Sequence, residues 1–137
     1  MAGFLGTWQL TESVNLDEIM KELNINYITR RLSRLVKPII TFSANGDNGM
    51  RMRTVVLYKT HEVTFEFGEE YDEVTVDGRP VTSLFTKDSE FQLTQIQRCP
   101  NSYTKLVRRV EGDKMLMTVE VNDVTAKVKY LRIGLGN

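Results

Sequence analysis

The chain has little of what a disulfide-stabilised or metal-dependent protein needs. Its 137 residues include one cysteine, Cys99, and one histidine, His61. A single cysteine cannot form an internal disulfide, and the sequence has no Asn-x-Ser/Thr glycosylation site. Both absences favour a reducing compartment, so we expect a cytoplasmic protein.

The sequence also lacks a long apolar run and an excess of charge of either sign. No stretch approaches the roughly 20 apolar residues of a membrane-spanning helix, and residues 1–4 lead into patterned sequence without a charged and then apolar leader. Eighteen basic residues balance eighteen acidic ones, whereas nucleic-acid-binding domains usually have a basic surface. We therefore expect a soluble protein that does not bind nucleic acid.

The groups that build catalytic and metal sites are sparse. His61 and Cys99 are expected on separate strands, and no serine-containing elbow or metal-ligand cluster is present. Asp47 and Asn48 lie in a glycine-flanked turn that lacks the spaced acidic ligands and terminal glutamate of a calcium loop. We predict that the protein is not an enzyme and uses neither a metal nor a cofactor.

What the sequence does contain is a regular series of short β-rich segments. From residue 39 onward, runs rich in Val, Thr, Phe and Tyr are separated by turn-forming residues such as Asp77-Gly78 and Gly112-Asp113. With a first strand over about residues 4–13, the count is ten. Closing such a sheet removes its exposed edges, so we predict an all-β fold, a ten-stranded antiparallel up-and-down β-barrel in one domain over 1–137.

Two short helices are predicted between the first two strands. Asn26 can cap the second, over residues 27–36, which Pro38 ends. The first follows Asn15, with Glu18 completing a capping-box-like start, and its apolar residues recur at helical spacing: Leu16, Ile19, Met20 and Leu23. Helices inserted here cannot lie in the wall, so we expect a helix-turn-helix lid over one open end and a cavity beneath it.

Several polar side chains are predicted on the inner face of the barrel. Alternation places Arg108 with Leu106 and Val110, and places Gln95 and Gln97 on the apolar face of another strand. An unpaired buried arginine costs on the order of several kcal/mol, and its guanidinium matches a carboxylate as a two-bond pair. A lipid carboxylate with a long apolar tail fits such an interior. Pairing of Arg108 with an internal glutamate, or an arginine that reaches the surface, stays equally open.

Four segments carry a resemblance to a known family: 4–8 (FLGTW), 15–20 (NLDEIM), 67–73 (FGEEYDE) and 77–79 (DGR). With them the chain resembles the intracellular lipid-binding proteins, which comprise fatty-acid-binding and cellular retinoid-binding proteins, over essentially its whole length. The resemblance implies a lipocalin-like (calycin) barrel and a monomeric carrier. None of the four segments is a catalytic motif.

Other segments indicate which branches of the family the chain resembles most. Residues 67–80 are similar to the cellular retinoic-acid-binding branch, whereas the following are most similar to flatworm fatty-acid-binding proteins: 87–90, 93–95, 106–108, 112–113 and 123–126. The resemblance thus implies a cytosolic protein that binds and transports a long-chain fatty acid or similar hydrophobic ligand non-covalently. The alternatives are a retinoid carrier, or a membrane-surface or structural protein in which bound lipid is incidental.

The resemblance also implies a head-group site. The family holds its ligand carboxylate with two arginines and a tyrosine, the last two spaced Arg-x-Tyr on the final strand; Arg108 and Tyr130 match two of these positions, and Val128 stands at the third. Lys129 points outward by alternation, and Arg132 lies two residues too far along. Loss of one charge-assisted hydrogen bond removes roughly 1.5–3 kcal/mol, which would weaken carboxylate binding or favour a less acidic head group.

The resemblance further implies a portal at the lid. Its rim would comprise Leu32, Leu35 and Tyr58, and the cavity beneath would be lined by Met20, Ile25 and Thr29. Each apolar side chain among these could instead be plain lid packing. The second helix also carries a basic face that could contact anionic membranes transiently or simply be solvated: Arg30, Arg31, Arg34 and Lys37.

Overall fold

A computed structural model of the protein describes residues 1–135 and contains ten β-strands and two α-helices. The chain begins with a short 3-10 turn at Ala2–Phe4. The helices are α1 (Leu16–Glu22) and α2 (Tyr27–Ser33). The strands are β1 (Gly6–Val14), β2 (Ile39–Ala44), β3 (Gly49–Val56), β4 (Lys59–Glu66), β5 (Tyr71–Val74), β6 (Pro80–Ser89), β7 (Gln92–Cys99), β8 (Ser102–Glu111), β9 (Lys114–Val121) and β10 (Val124–Leu135).

All ten strands belong to one antiparallel sheet, and their order confirms the up-and-down barrel. Hydrogen-bonded neighbours follow the order β4-β3-β2-β1-β10-β9-β8-β7-β6-β5. Each pairing joins strands that are adjacent in the chain, except that β1 also pairs with β10 and so rolls the sheet up. The order ends at β4 and at β5, which leaves a gap in the wall. The barrel is therefore nearly closed.

Side chains alternate between the inside and the outside of the wall. On β9 and β10, outer residues such as Glu120 and Lys127 are exposed. The residues that alternate with them over 115–121 and 126–130 are buried, and all but the phenol of Tyr130 are apolar: Met115, Met117, Val119, Val121, Ala126, Val128 and Tyr130. This period of two is the pattern on which the strand predictions rest.

Aromatic side chains fill the barrel beside the start of β1. Trp8 and Phe4 are fully buried, and the indole Nε1 of Trp8 donates a hydrogen bond to the Phe4 carbonyl at 3.0 Å. The Phe4 ring packs edge-on against Phe42, with the ring centroids 5.7 Å apart. Burial of rings of this size dominates the energetics of a core, so this region is structural.

The lid forms as two helices, with one capping prediction confirmed and one wrong. The Asn26 side chain accepts a hydrogen bond from the Thr29 backbone N–H at 2.8 Å and caps α2. Asn15, in contrast, has a left-handed backbone (φ 67°) and makes no capping bond; its side chain donates to the Thr125 carbonyl on β10 instead. A side-chain cap requires an extended backbone at that position, so the capping box with Glu18 does not form.

The second helix is shorter than predicted. It ends at Ser33, after which the backbone N–H groups of Arg34 and Leu35 bond to carbonyls three residues back. Such bonds are typical of a helix end that tightens, and Pro38 disfavours helical backbone just before it. Among residues 1–135, no helix is long and apolar enough to cross a membrane.

Candidate functional site

Arg108 lies inside the barrel, as alternation predicted. It belongs to β8 and is 4% exposed, so the alternative that its side chain reaches the surface is wrong. Its Nη1 donates a hydrogen bond to Oε1 of Gln95, which is buried on the neighbouring strand β7, at 2.8 Å. The guanidinium carbon lies 5.8 Å from the centroid of the Phe85 ring. The partners of Arg108 are thus a neutral amide and an aromatic face.

These partners leave most of the guanidinium donors unused. Within residues 1–135, no carboxylate lies within 4 Å of Arg108, and its buried Nε has no hydrogen-bond partner. Burial lowers the pKa of Arg108, and nearby Tyr130, Tyr71 and Glu73 oppose the shift. An arginine with five N–H donors and so few acceptors marks a place that can receive a polar or anionic group.

Tyr130 and Val128 face the same interior from β10. Both are buried, at 4% and 2% exposure. Burial raises the pKa of Tyr130, an effect that Arg108 reduces, so the phenol is a hydrogen-bond donor at neutral pH. Val128 leaves its position without charge. We refer to Arg108, Gln95, Tyr130 and Val128 as the Arg108 cluster.

The other cations of β10 are used elsewhere. Lys129 lies 3.7 Å from the Glu12 carboxylate on β1. Arg132 donates from Nη1 to the Leu5 carbonyl at 2.6 Å, and its guanidinium carbon stacks 4.1 Å from the centroid of the Trp8 ring. The missing arginine of the Arg108 cluster is therefore not replaced by either side chain.

Gln97, the second predicted glutamine, lies two residues beyond Gln95 on the same face of β7. It is half-buried and is paired in register with Thr104 on β8. The Thr104 hydroxyl is buried without a hydrogen-bond partner in the described chain. This part of the wall is polar but uncharged.

A second internal polar group lies beside the gap between β4 and β5, and the sequence analysis missed it. The Glu73 side chain is 6% exposed, and its Oε2 accepts hydrogen bonds from the Tyr71 hydroxyl at 2.9 Å and the Ser83 hydroxyl at 2.5 Å. His61 reaches across the gap from β4: its Nε2 lies 2.7 Å from the Val74 carbonyl and 3.5 Å from Glu73 Oε1. We call Glu73, Tyr71, Ser83 and His61 the Glu73 cluster.

In the Glu73 cluster, burial and a neighbouring charge shift the pKa of Tyr71 in the same direction. Burial raises the pKa of Tyr71 well above its ordinary value, and the adjacent Glu73 carboxylate adds to that shift. Nδ1 of His61 is buried without a hydrogen-bond partner in residues 1–135. A pocket of about 240 Å³ opens at this end of the gap, lined by Thr54, Lys59, Thr60, His61, Thr75 and Val76. The signal that could have revealed Glu73 is alternation along Tyr71–Val74, which puts Tyr71 and Glu73 on one face.

The predicted lid residues divide into two sets. Met20, Ile25 and Thr29 are half-buried. Leu32 and Tyr58 are 49% and 89% exposed, and Leu35 is 81% exposed. The first set is thus partly covered and the second is largely exposed, with Tyr58 in the turn between β3 and β4.

A separate cleft of about 990 Å³ lies between β5, β6 and the turn that joins β7 to β8. Glu73 is one of its lining residues, but Arg108 and Tyr130 are not. Its other lining residues include the exposed Asp72, Pro80 and Tyr103. The cleft therefore opens to the surface but also reaches the buried Val81. Within the described chain, no group of three His, Cys, Asp or Glu side chains is arranged to hold a metal ion.

A protein-family model and several relatives match the chain over nearly its whole length. The sequence matches the model of the lipocalin / cytosolic fatty-acid binding protein family over residues 5–132. The chain belongs to this family. Among similar members, it is 46% identical over 132 residues to a fatty acid-binding protein of Clonorchis sinensis, covering 96% of this chain and 99% of the relative. It is 47% identical over 133 residues to the 14 kDa fatty acid-binding protein of Schistosoma mansoni, with 97% and 99% covered.

Solved structures of similar proteins give the same result. The fatty acid binding protein of Schistosoma mansoni in complex with arachidonic acid superposes with a TM-score of 0.94 at 46% identity, covering 97% of this chain and 98% of that one. Human cRBP IV superposes with a TM-score of 0.79 at 30% identity, covering 93% and 96%. The resemblance drawn from the sequence motifs, including its flatworm emphasis, is confirmed.

Proposed function

We propose that the protein is a cytoplasmic, monomeric and non-enzymatic carrier that binds one long-chain fatty acid non-covalently inside its barrel. The head group would lie at the Arg108 cluster, and the tail would lie against the apolar inner side chains. One observation carries this proposal: Arg108 is buried with unused donors and no carboxylate within 4 Å in residues 1–135. A fatty-acid carboxylate supplies the acceptors that this arginine lacks.

The chemistry of the head-group position follows from its donors. The Arg108 guanidinium can donate two parallel hydrogen bonds to a carboxylate, and the Tyr130 hydroxyl can donate a third. Gln95 already accepts from Arg108 Nη1 and so holds the guanidinium in place. With Val128 in the position of a second arginine, the site has one cationic anchor, and we expect weaker carboxylate binding than in relatives that have two.

The relatives support the same ligand class. Several flatworm proteins that are 45–47% identical to this chain are named fatty acid-binding proteins. The Schistosoma mansoni structure with a TM-score of 0.94 is a complex with arachidonic acid. Identity at this level over nearly the whole chain favours a shared ligand class.

The ligand would enter through the lid. In this proposal Met20, Ile25 and Thr29 contact the bound tail, while Leu32 and Tyr58 form the rim of the portal. The half-burial of the first three and the exposure of the last two support these roles. Short helices with few buried residues open at low free energy, and α2 has none that is buried.

Contact with anionic membranes is proposed as a transient step in transfer. The basic face of α2 is less free than its sequence indicates, because the Asp17 carboxylate lies 3.3 Å from Arg30 and 3.2 Å from Arg34. Arg31 and Lys37 are exposed and would carry most of the attraction to anionic lipid. Vesicle sedimentation of the wild type against Arg31→Glu tests this contact, and equal sedimentation of the two proteins would contradict it.

The central experiment is displacement of a fluorescent fatty acid, with mass spectrometry of lipid extracted from the purified protein. Arg108→Ala should weaken binding by roughly 10- to 100-fold, because it removes about 1.5–3 kcal/mol of charge-assisted hydrogen bonding. Arg109→Ala is the matched control, since Arg109 is the adjacent residue of β8 and points outward. All-trans-retinoic acid as a competitor tests the retinoid alternative. Absence of fatty-acid displacement in the wild type would contradict the proposed function.

A further inference from the structure

Two uncharged polar side chains lie together on the inner face of the wall, away from the Arg108 cluster. Thr104 on β8 is 2% exposed, and its hydroxyl oxygen has no hydrogen-bond partner in residues 1–135. Gln97 on β7 is paired with it in register and is half-buried. The Gln97 amide also has no hydrogen-bond partner within the described chain. We call these two residues the Gln97/Thr104 pair.

The polar side chains next to the pair are already used. Ser83 on β6 and Tyr71 on β5 continue the same row of the sheet, and their hydroxyls donate to Glu73 at 2.5 Å and 2.9 Å. On the other side of Thr104, the residue in register is the buried, apolar Val121 on β9. A buried polar group without a partner costs free energy, so the pair would gain from a ligand that brings a hydrogen-bonding group.

Strand geometry sets the separation between the pair and Arg108. Thr104 and Arg108 are four residues apart on β8 and share its inner face with Leu106, and the pairings of β8 contain no register shift. Four residues of a strand span about 13 Å. A fully extended chain of single bonds advances about 1.2 Å per bond, so about 11 bonds would separate a carboxylate at Arg108 from a group at Thr104.

The pair lies at the lid end of the barrel. Thr104 is in register with Val121, the last residue of β9. Asn122, in the turn that follows, donates a hydrogen bond to the Glu22 carboxylate of α1 at 2.8 Å. A tail that extends from Arg108 toward the lid along β8 therefore passes the Gln97/Thr104 pair.

Building on the proposed function, we propose that the Gln97/Thr104 pair is a second ligand subsite, which recognises a long-chain fatty acid with a hydroxyl group near the middle of its chain. The carboxylate would lie at the Arg108 cluster and the hydroxyl at the pair. The Thr104 hydroxyl and the Gln97 amide can each donate and accept a hydrogen bond, so the ligand hydroxyl can donate to one and accept from the other. Because neither side chain is charged, the pair suits a hydroxyl group rather than a second carboxylate.

An apolar wall would have the opposite effect on such a ligand. A hydroxyl group that leaves water for an apolar surface without a hydrogen bond loses free energy, so a hydroxylated fatty acid would bind more weakly than the plain one. The Gln97/Thr104 pair supplies the missing hydrogen bonds. The affinity for the hydroxylated acid relative to the plain acid is therefore the quantity that decides between the two.

The test is displacement of a fluorescent fatty acid by octadecanoate, 12-hydroxyoctadecanoate and 2-hydroxyoctadecanoate, which have the same chain length. The 12-hydroxyl group lies at the required separation from the carboxylate, whereas the 2-hydroxyl group lies beside the carboxylate. We expect the wild type to bind 12-hydroxyoctadecanoate about fivefold more tightly than octadecanoate, since a buried hydrogen bond has about that effect.

Thr104→Val keeps the shape of the side chain and removes its hydroxyl. Because that hydroxyl has no protein partner, the variant should be as stable as the wild type. Its affinity for 12-hydroxyoctadecanoate should fall by about tenfold, while its affinities for the other two acids stay within about twofold. Thr118→Val, on the outer face of β9, is the matched control and should leave all three affinities unchanged.

The outcomes separate this inference from the proposed function. The subsite is refuted, and the proposed function stands, if the wild type binds 12-hydroxyoctadecanoate at least about tenfold more weakly than octadecanoate, or if Thr104→Val lowers both affinities by the same factor. If none of the three acids displaces the probe from the wild type, the proposed function is refuted and the subsite with it. Gln97→Leu should show the same selective loss as Thr104→Val, so the test does not depend on one variant.

Discussion

The two polar clusters of the interior differ in how the strands that carry them are paired. The Arg108 cluster is built on β7, β8 and β10, where strands are hydrogen-bonded on both sides. The Glu73 cluster is built on β4, β5 and β6, beside the gap between the two ends of the sheet order, and His61 on β4 reaches across this gap to the Val74 carbonyl on β5. Arg108 has hydrogen-bond donors without acceptors, whereas the Glu73 carboxylate already accepts two hydrogen bonds. The first can therefore accept a further polar group, and the second connects β4 to β5 and β6.

This difference predicts that the Glu73 cluster matters most for stability. Glu73→Ala should lower the free energy of unfolding by about 3 kcal/mol, because it leaves the Tyr71 and Ser83 hydroxyl groups without their acceptor. Urea denaturation measures the change. Asp72→Ala is the control on the outer face of the same strand, where the loss of one exposed hydrogen bond to Thr82 should cost less than about 1 kcal/mol. If both variants lowered the free energy of unfolding equally, the Glu73 cluster would have no special role in stability.

The Arg108 cluster should instead respond in ligand affinity. Val128→Arg adds the second cation and should tighten fatty-acid binding by roughly 10- to 100-fold, through about 1.5–3 kcal/mol of charge-assisted hydrogen bonding. Displacement of a fluorescent fatty acid measures it. Thr125→Arg, at an exposed position of the same strand, adds equal charge on the outside and should have little effect. An unchanged or lower affinity in Val128→Arg would mean that Val128 is not a missing anchor.

The smallest expected effect concerns the phenols of the two clusters. Burial raises the pKa of Tyr71 and of Tyr130, so in the folded protein both stay neutral at a pH where the unfolded chain ionises them near 10. The stability linked to these phenols is therefore complete below about pH 10 and is lost as the pH rises beyond it. In ultraviolet titration, Tyr71→Phe and Tyr130→Phe should release as much phenolate as the wild type up to about pH 11. A smaller release from either variant would contradict the burial argument for that residue.

The parts that could be predicted from the sequence are those that a long strand or a known motif determines. Alternation over the ten residues of β8 placed Arg108 inside, and turn spacing yielded ten strands. Glu73 was missed because β5 has only four residues, too few for a period of two to stand out, and because the gap it faces depends on pairing across the whole sheet. Asn15 was misjudged because its residue type suits a cap, while the left-handed backbone that prevents capping follows from how α1 is attached to β10.

The contact of Arg132 with the first residues of the chain has a consequence for how the barrel folds. Its guanidinium donates to the carbonyls of Leu5 and Gly3, which precede it by 127 and 129 positions, and β1 depends on β10 for one of its two neighbours. Contacts at such sequence separation carry a high loop-closure entropy and slow the rate of folding. During synthesis, β1 therefore has one edge unpaired until β10 has emerged. The barrel then forms when β10 docks beside β1.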